Sequence, residues 1–167
     1  MFLVSMFSML MRPVLSLLVF GTLALPALAL PAPMSDDELT EKSDLVALVR
    51  VLSVTCTSAA KDPKTGQILP GYLAKLQVLD VKKGNAKRGD EVLVTWRTVP
   101  KGALGPWAVA YYPGEEVRTH LTKRSGGVTY ASTWWNAKGE PLKEPETTDL
   151  PVQIGYTSGM RGTPPTP

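Results

Sequence analysis

The sequence predicts a small, mainly β domain in which five or six short strands form a closed or partly closed antiparallel barrel, preceded by one short helix. Apolar and polar residues alternate with a period of two through several short segments, each bounded by Gly, Pro, Asn or Asp. One of those segments slips phase midway, as a strand does where it bulges or bends.

The helix comes first. Ser35-Asp36-Asp37-Glu38 is a capping box, with Ser and Glu serving the free amides of the first turn and the acids facing the positive end of the helix dipole. Its end is expected near Lys42. Leu45 to Val54 is β-branched and apolar on both faces, which suits a central strand. Ser58 to Gln67, with Asp62-Pro63 and Thr65-Gly66, reads as a loop. Tyr72 to Lys82 places Tyr72, Ala74, Leu76 and Val78 on one face, and the phase then slips at Leu79. Lys83 to Asp90 turns the chain into a third strand, Glu91 to Thr98, and Pro106 to Tyr112 is a fourth short apolar segment. Pro113-Gly114 fits the centre of a type II turn. In the next strand Val117, Thr119 and Leu121 alternate with Arg118, His120 and Thr122, and Ser125-Gly126-Gly127 turns it into a hairpin with Val128 to Trp135. From Asn136 the composition becomes Pro- and Gly-rich, read as an ordered return to Tyr156 and then a Pro-rich disordered tail, 157–167.

Residues 1–29 read as a removed export signal. Arg12 precedes the apolar run Pro13 to Phe20, and Ala27-Leu28-Ala29 has the small-x-small pattern of a cleavage site, so the mature chain is expected to start at Leu30. Met6, Met9 and Met11 are alternative starts. The competing reading is an uncleaved anchor, because about 18 apolar residues can span a bilayer, but Gly21 and Pro26 weaken a helix there. Cleavage implies a periplasmic or extracellular protein with no membrane span left. Arg12 is the one charged residue removed, leaving 17 basic and 15 acidic residues and a net charge of +2. Such a balance gives no strongly basic face and hence no obligatory nucleic-acid partner. The expected single domain covers 30–156. The one cysteine, Cys56, permits no internal disulfide and is expected to be a buried thiol, with an intermolecular bridge as the alternative.

The segments DLVALVRV (44–51), KLQVLDVKKG (75–84), DEVLVT (90–95) and YPGEEV (112–117) give the chain a resemblance across residues 35–135. It resembles bacterial exported proteins with an OB-type barrel similar to the inhibitory domain of tissue inhibitors of metalloproteinases. The resemblance implies an OB-like barrel. It does not carry inhibition across, because that chemistry uses a Cys at the mature N-terminus where this chain has Leu30.

Residues for catalysis or metal binding are sparse. One His and one Cys with no clustered pair predict neither a metal site nor a cofactor. Cys56 and His120, with an acid such as Asp90, would make a nucleophilic site only if the fold joined them. Two patches are candidates for binding. Lys82, Lys83, Lys87 and Arg88 crowd one turn. Arg118, His120, Tyr130, Trp134 and Trp135 share the last hairpin, where adjacent tryptophans are expected on opposite faces, one in the core and one outside. The expectation is therefore a non-enzymatic exported binding module with a protein or glycan partner in the envelope, carried by the Val117 to Trp135 hairpin. The alternatives are an envelope protein held to anionic polymer or membrane by its basic turn, and a small hydrolase using His120.

Overall fold

The computed structural model describes residues 31–103 and 109–151. The expected export signal at 1–29, residues 152–156 of the expected return, the expected tail at 157–167 and Pro106 to Ala108 of the fourth apolar segment lie outside the described residues.

Helix α1 is Asp36–Lys42, ending where the sequence predicts. The capping box is formed: Glu38 N–H donates to Ser35 Oγ at 3.2 Å, and Ser35 N–H to Glu38 Oε2 at 2.9 Å. Leu39 is its buried residue. Six strands follow, β1 Leu45–Lys61, β2 Ile68–Lys83, β3 Glu91–Arg97, β4 Glu116–Lys123, β5 Tyr130–Ser132 and β6 Lys138–Lys143. Five of them close a ring in the order β1-β2-β3-β5-β4, with β4 pairing back onto β1, and β6 adds to β4. This is a small barrel consistent with an OB-like fold. It is mixed rather than antiparallel, because β3 and β5 run parallel through the pair Val94–Tyr130. Closure demands it: directions cannot alternate all the way round an odd-membered ring, so one neighbouring pair must be parallel.

The phase slip in β2 is a bulge. Leu79 is passed over between the pairs Leu48–Asp80 and Val49–Val78, and β1 yields in turn at Leu52 and Thr57. These irregularities let the two long strands curl around the core. Val49, Val51, Leu76, Val78, Val94, Val117 and Leu121 fill that core, each no more than 1% exposed. Trp96 stacks on Tyr72 with ring centroids 5.3 Å apart and meets Tyr111 at a tilt of 60°, centroids 5.7 Å apart.

Four expectations need correction. Ser58 to Lys61 is strand, because pairing with Ile68 to Gly71 satisfies its backbone although its side chains are small and polar. Only Asp62 to Gln67 turns, organised by Asp62 Oδ1, which accepts the N–H groups of Lys64 and Thr65. Val109 to Tyr112 forms no strand; Tyr111 instead inserts into the core, with Val109 and Ala110 packed against its edge. Cys56 is half-buried at the core's edge, where the β1–β2 ribbon leaves the barrel, and its thiol faces Ser58 O at 3.6 Å. The strand expected over Val128 to Trp135 spans only Tyr130–Ser132, as β5, and the chain then turns, with Ala137 N–H donating to Trp134 O at 3.1 Å, before β6. Among the described residues no helix is long and apolar enough to cross a membrane.

Candidate functional site: the Trp134–Trp135–Asn136 turn

The structure divides the predicted site residues among three places. Arg118 and His120 are on β4, with side chains directed away from the barrel interior that Val117, Thr119 and Leu121 fill. Arg118 is exposed, but α1 covers His120, which is 5% exposed. His120 Nδ1 lies 3.2 Å from Ala137 O, so the proton on that ring nitrogen is fixed by an acceptor-only carbonyl. Its Nε2 lies 3.3 Å from Thr40 Oγ1 and 3.4 Å from Asp36 Oδ1. The Lys82 hydrogen bond holds the Asp36 carboxyl below its usual range, helped by the positive charge of Lys82 and by His120 and Arg118. The expectation of an imidazole on an open polar face is thus corrected by a helix that sequence alternation does not register. Cys56 is not brought to it: His120 pairs with Val46 near one end of β1 and Cys56 is ten residues further along that strand, about 30 Å if straight.

Tyr130 packs against the core and lines a separate cavity of about 520 Å³ between two turns, with Asn85, Asp90 and Val128. The basic patch also divides. Lys82 pairs with Asp36 at 2.8 Å, while Lys83 Nζ donates to the carbonyls of Thr40 and Glu41, both at 2.8 Å, near the C-terminus of α1. Lys87 and Arg88 remain exposed on the turn. Among the described residues no three His, Cys, Asp or Glu side chains converge to hold a metal.

Trp134 and Trp135 do stay together, but not as predicted. Period-two alternation applies within a strand, and the strand ends at Ser132, so both rings are half-buried on the turn and neither enters the core. Their polar edges converge on residues 31–34. Trp134 Nε1–H donates to Ala32 O and Trp135 Nε1–H to Pro31 O, each at 3.1 Å. Asn136 completes the set: its Nδ2 donates to Met34 O at 2.8 Å, and its Oδ1 accepts Met34 N–H at 3.2 Å. Every one of these contacts is to main chain.

Beside the turn is a cleft. Beyond Val94–Tyr130 the β3–β5 ladder stops, and two adjoining cavities of about 370 and 280 Å³ share Thr95, Trp96, Arg97 and Arg124. The second extends to Trp134 and Trp135. Arg124 donates to Thr95 O at 3.4 Å, and among the described residues neither Arg97 nor Arg124 pairs with a carboxylate. Trp96 Nε1 is buried there without an acceptor among the described residues. Sequence reading missed Trp96, Arg97, Arg124 and Asn136 as site residues. The Trp-Trp-Asn run was visible, but nothing local ties it to a Pro-Ala-Pro segment a hundred residues earlier.

No family model, curated protein or solved structure matches this chain.

Proposed function

We propose that this chain is a non-enzymatic, exported binding module, an OB-like barrel of the kind found in tissue inhibitors of metalloproteinases and their bacterial counterparts, released by cleavage after Ala29. Its partner is a protein or glycan of the envelope. The binding surface is the Trp134–Trp135–Asn136 turn with the cleft beside it. One observation carries this reading: two adjacent tryptophans, half-exposed at the rim of a cleft flanked by two arginines that pair with no carboxylate among the described residues, direct their N–H groups at polypeptide backbone. Aromatic and arginine side chains around a pocket are the usual anchors of an interface. Catalysis by His120 draws less support, since both ring nitrogens face protein groups under α1. Anchoring by the basic turn also draws less, since Lys82 and Lys83 are engaged by that helix.

The test is capture from envelope extract by the processed chain, compared with Trp134→Ala and with Arg97→Ala/Arg124→Ala, read by quantitative mass spectrometry. Species that both variants lose, at unchanged thermal stability, are the expected result. Identical profiles for all three proteins would refute this surface. An intact mass retaining residues 11–29 would refute export by cleavage.

A further inference from the structure

We infer that the Trp134–Trp135–Asn136 turn reads proline-fixed, extended main chain, that Pro31 to Met34 occupies it in cis, and that a proline-rich segment of a partner takes the same place. The inference rests on the proposed binding role of this face and adds its ligand class.

The match is one of hydrogen-bond type. Proline has no N–H, so a proline-rich segment offers mostly acceptors. An indole N–H is donor only. Two such donors meet two successive carbonyls, Pro31 and Ala32. Met34 is the first residue past the prolines and has both an N–H and a C=O; it is met by Asn136, which both accepts and donates. A β-strand ligand would present N–H groups to which the indoles have nothing to offer.

The bound segment also has the conformation such a reader needs. Pro31 and Pro33 fix φ near −65°, Ala32 before a proline is biased to extended geometry, and Ser35 continues at φ −66°, ψ 162°. These angles lie close to the polyproline II helix, which Pro-rich ligands bring preformed to aromatic grooves. None of the four hydrogen bonds uses a ligand side chain, so any proline-fixed segment of similar spacing satisfies them. The cis segment is therefore both a template for the ligand and its competitor, held at an effective concentration of order millimolar by its short tether to α1.

The experiment titrates the peptide Leu-Pro-Ala-Pro-Met-Ser, and its counterpart with both prolines replaced by glycine, onto the intact chain and onto Pro31→Gly/Pro33→Gly. Indole N–H signals of the four tryptophans are followed by NMR. Loosening the cis segment should tighten binding of the proline peptide at least about ten-fold, with two of the four indole signals shifting. The glycine peptide should bind at least about ten-fold more weakly. Trp134→Phe/Trp135→Phe, which keeps the rings and removes the donors, should abolish the difference between peptides, read for this variant from the backbone amide signals of the turn. Equal binding of the two peptides, or binding indifferent to the Phe substitutions, would overturn the inference. If the glycine variant does not fold, the intact chain with isotope-labelled proline peptide at millimolar concentration decides, and peptide signals that neither shift nor broaden overturn the inference. Trp134-dependent capture without peptide binding removes this ligand class and leaves the binding face. Peptide binding without Trp134-dependent capture does the reverse.

Discussion

Lys138→Met should be among the most damaging single substitutions in this domain. Lys138 Nζ donates to Glu115 Oε2 and to Ala110 O, both at 2.8 Å, and lies 5.4 and 5.2 Å from the ring centroids of Tyr111 and Tyr112. Glu115 is 1% exposed, and its other oxygen accepts the Tyr112 N–H at 2.9 Å. Methionine keeps most of the stem volume and removes the charge, leaving a buried carboxylate with one remaining donor. Breaking a buried pair in this way costs about 3 to 5 kcal/mol, a large part of the roughly 5 to 15 kcal/mol typical of a domain. Glu115→Gln should cost less, about 1 to 2 kcal/mol, because the amide oxygen still accepts from Lys138 or Tyr112. Adding Lys138→Met to Glu115→Gln should therefore cost clearly less than the two single losses together. Urea unfolding of the four proteins, with slopes compared to confirm two-state behaviour, gives the coupling energy. A Lys138→Met loss below about 1 kcal/mol, in the surface-pair range, would refute the reasoning, since Glu115 would then have to be solvated.

Two further outcomes follow from single groups. Burial pushes the Tyr111 phenol up to about 12, against the opposing hydrogen bonds of Ser132 and Thr119, with the Glu115 charge adding to the rise. In the unfolded chain the phenol ionises near 10, so its contribution is complete below that pH and is lost as pH rises toward 12, by about 1.4 kcal/mol per unit. Denaturant melts through the alkaline range should show that decline, and Tyr111→Phe should flatten it; an equal slope in both proteins contradicts the assignment. Gly84→Ala should destabilise by at least about 1 kcal/mol more than Gly89→Ala: both have positive φ, +110° and +94°, which costs any L side chain about 1 to 2 kcal/mol, but only at position 84 would the new Cβ meet backbone, 2.7 Å from Asp44 O. Thermal melts of the two variants read the difference directly, and equal losses would mean that this hairpin turn shifts freely away from β1.

The features legible in the sequence were those whose chemistry is local. Ser35 and Glu38 satisfy amides within one turn, so the pattern announced α1 and its bounds. Pro113-Gly114 announced its turn in the same way: Gly114 has φ +83° and Glu115 N–H returns to Tyr112 O at 3.3 Å. The bulge at Leu79 was legible because a slipped period of two has few other causes in a strand. The extent of β1 was not, because Ser58 to Lys61 is held by its partner strand rather than by its own polarity.

The site was the least legible part, and for a related reason. His120 alternates correctly with Val117, Thr119 and Leu121, yet its burial is decided by a helix eighty residues earlier, through Thr40. Trp134 and Trp135 obeyed no alternation because the strand had already ended, and their partners lie 102 and 104 positions away. Period and propensity describe what a segment does to itself. A barrel closes by bringing its first and last segments together, so the surface at that closure combines residues that no sequence window contains. Prolines at 31 and 33 carry no site signal by themselves, and tryptophans at 134 and 135 alone read as core and surface. Only their juxtaposition shows donors facing acceptors, the arrangement on which the proposed binding face rests.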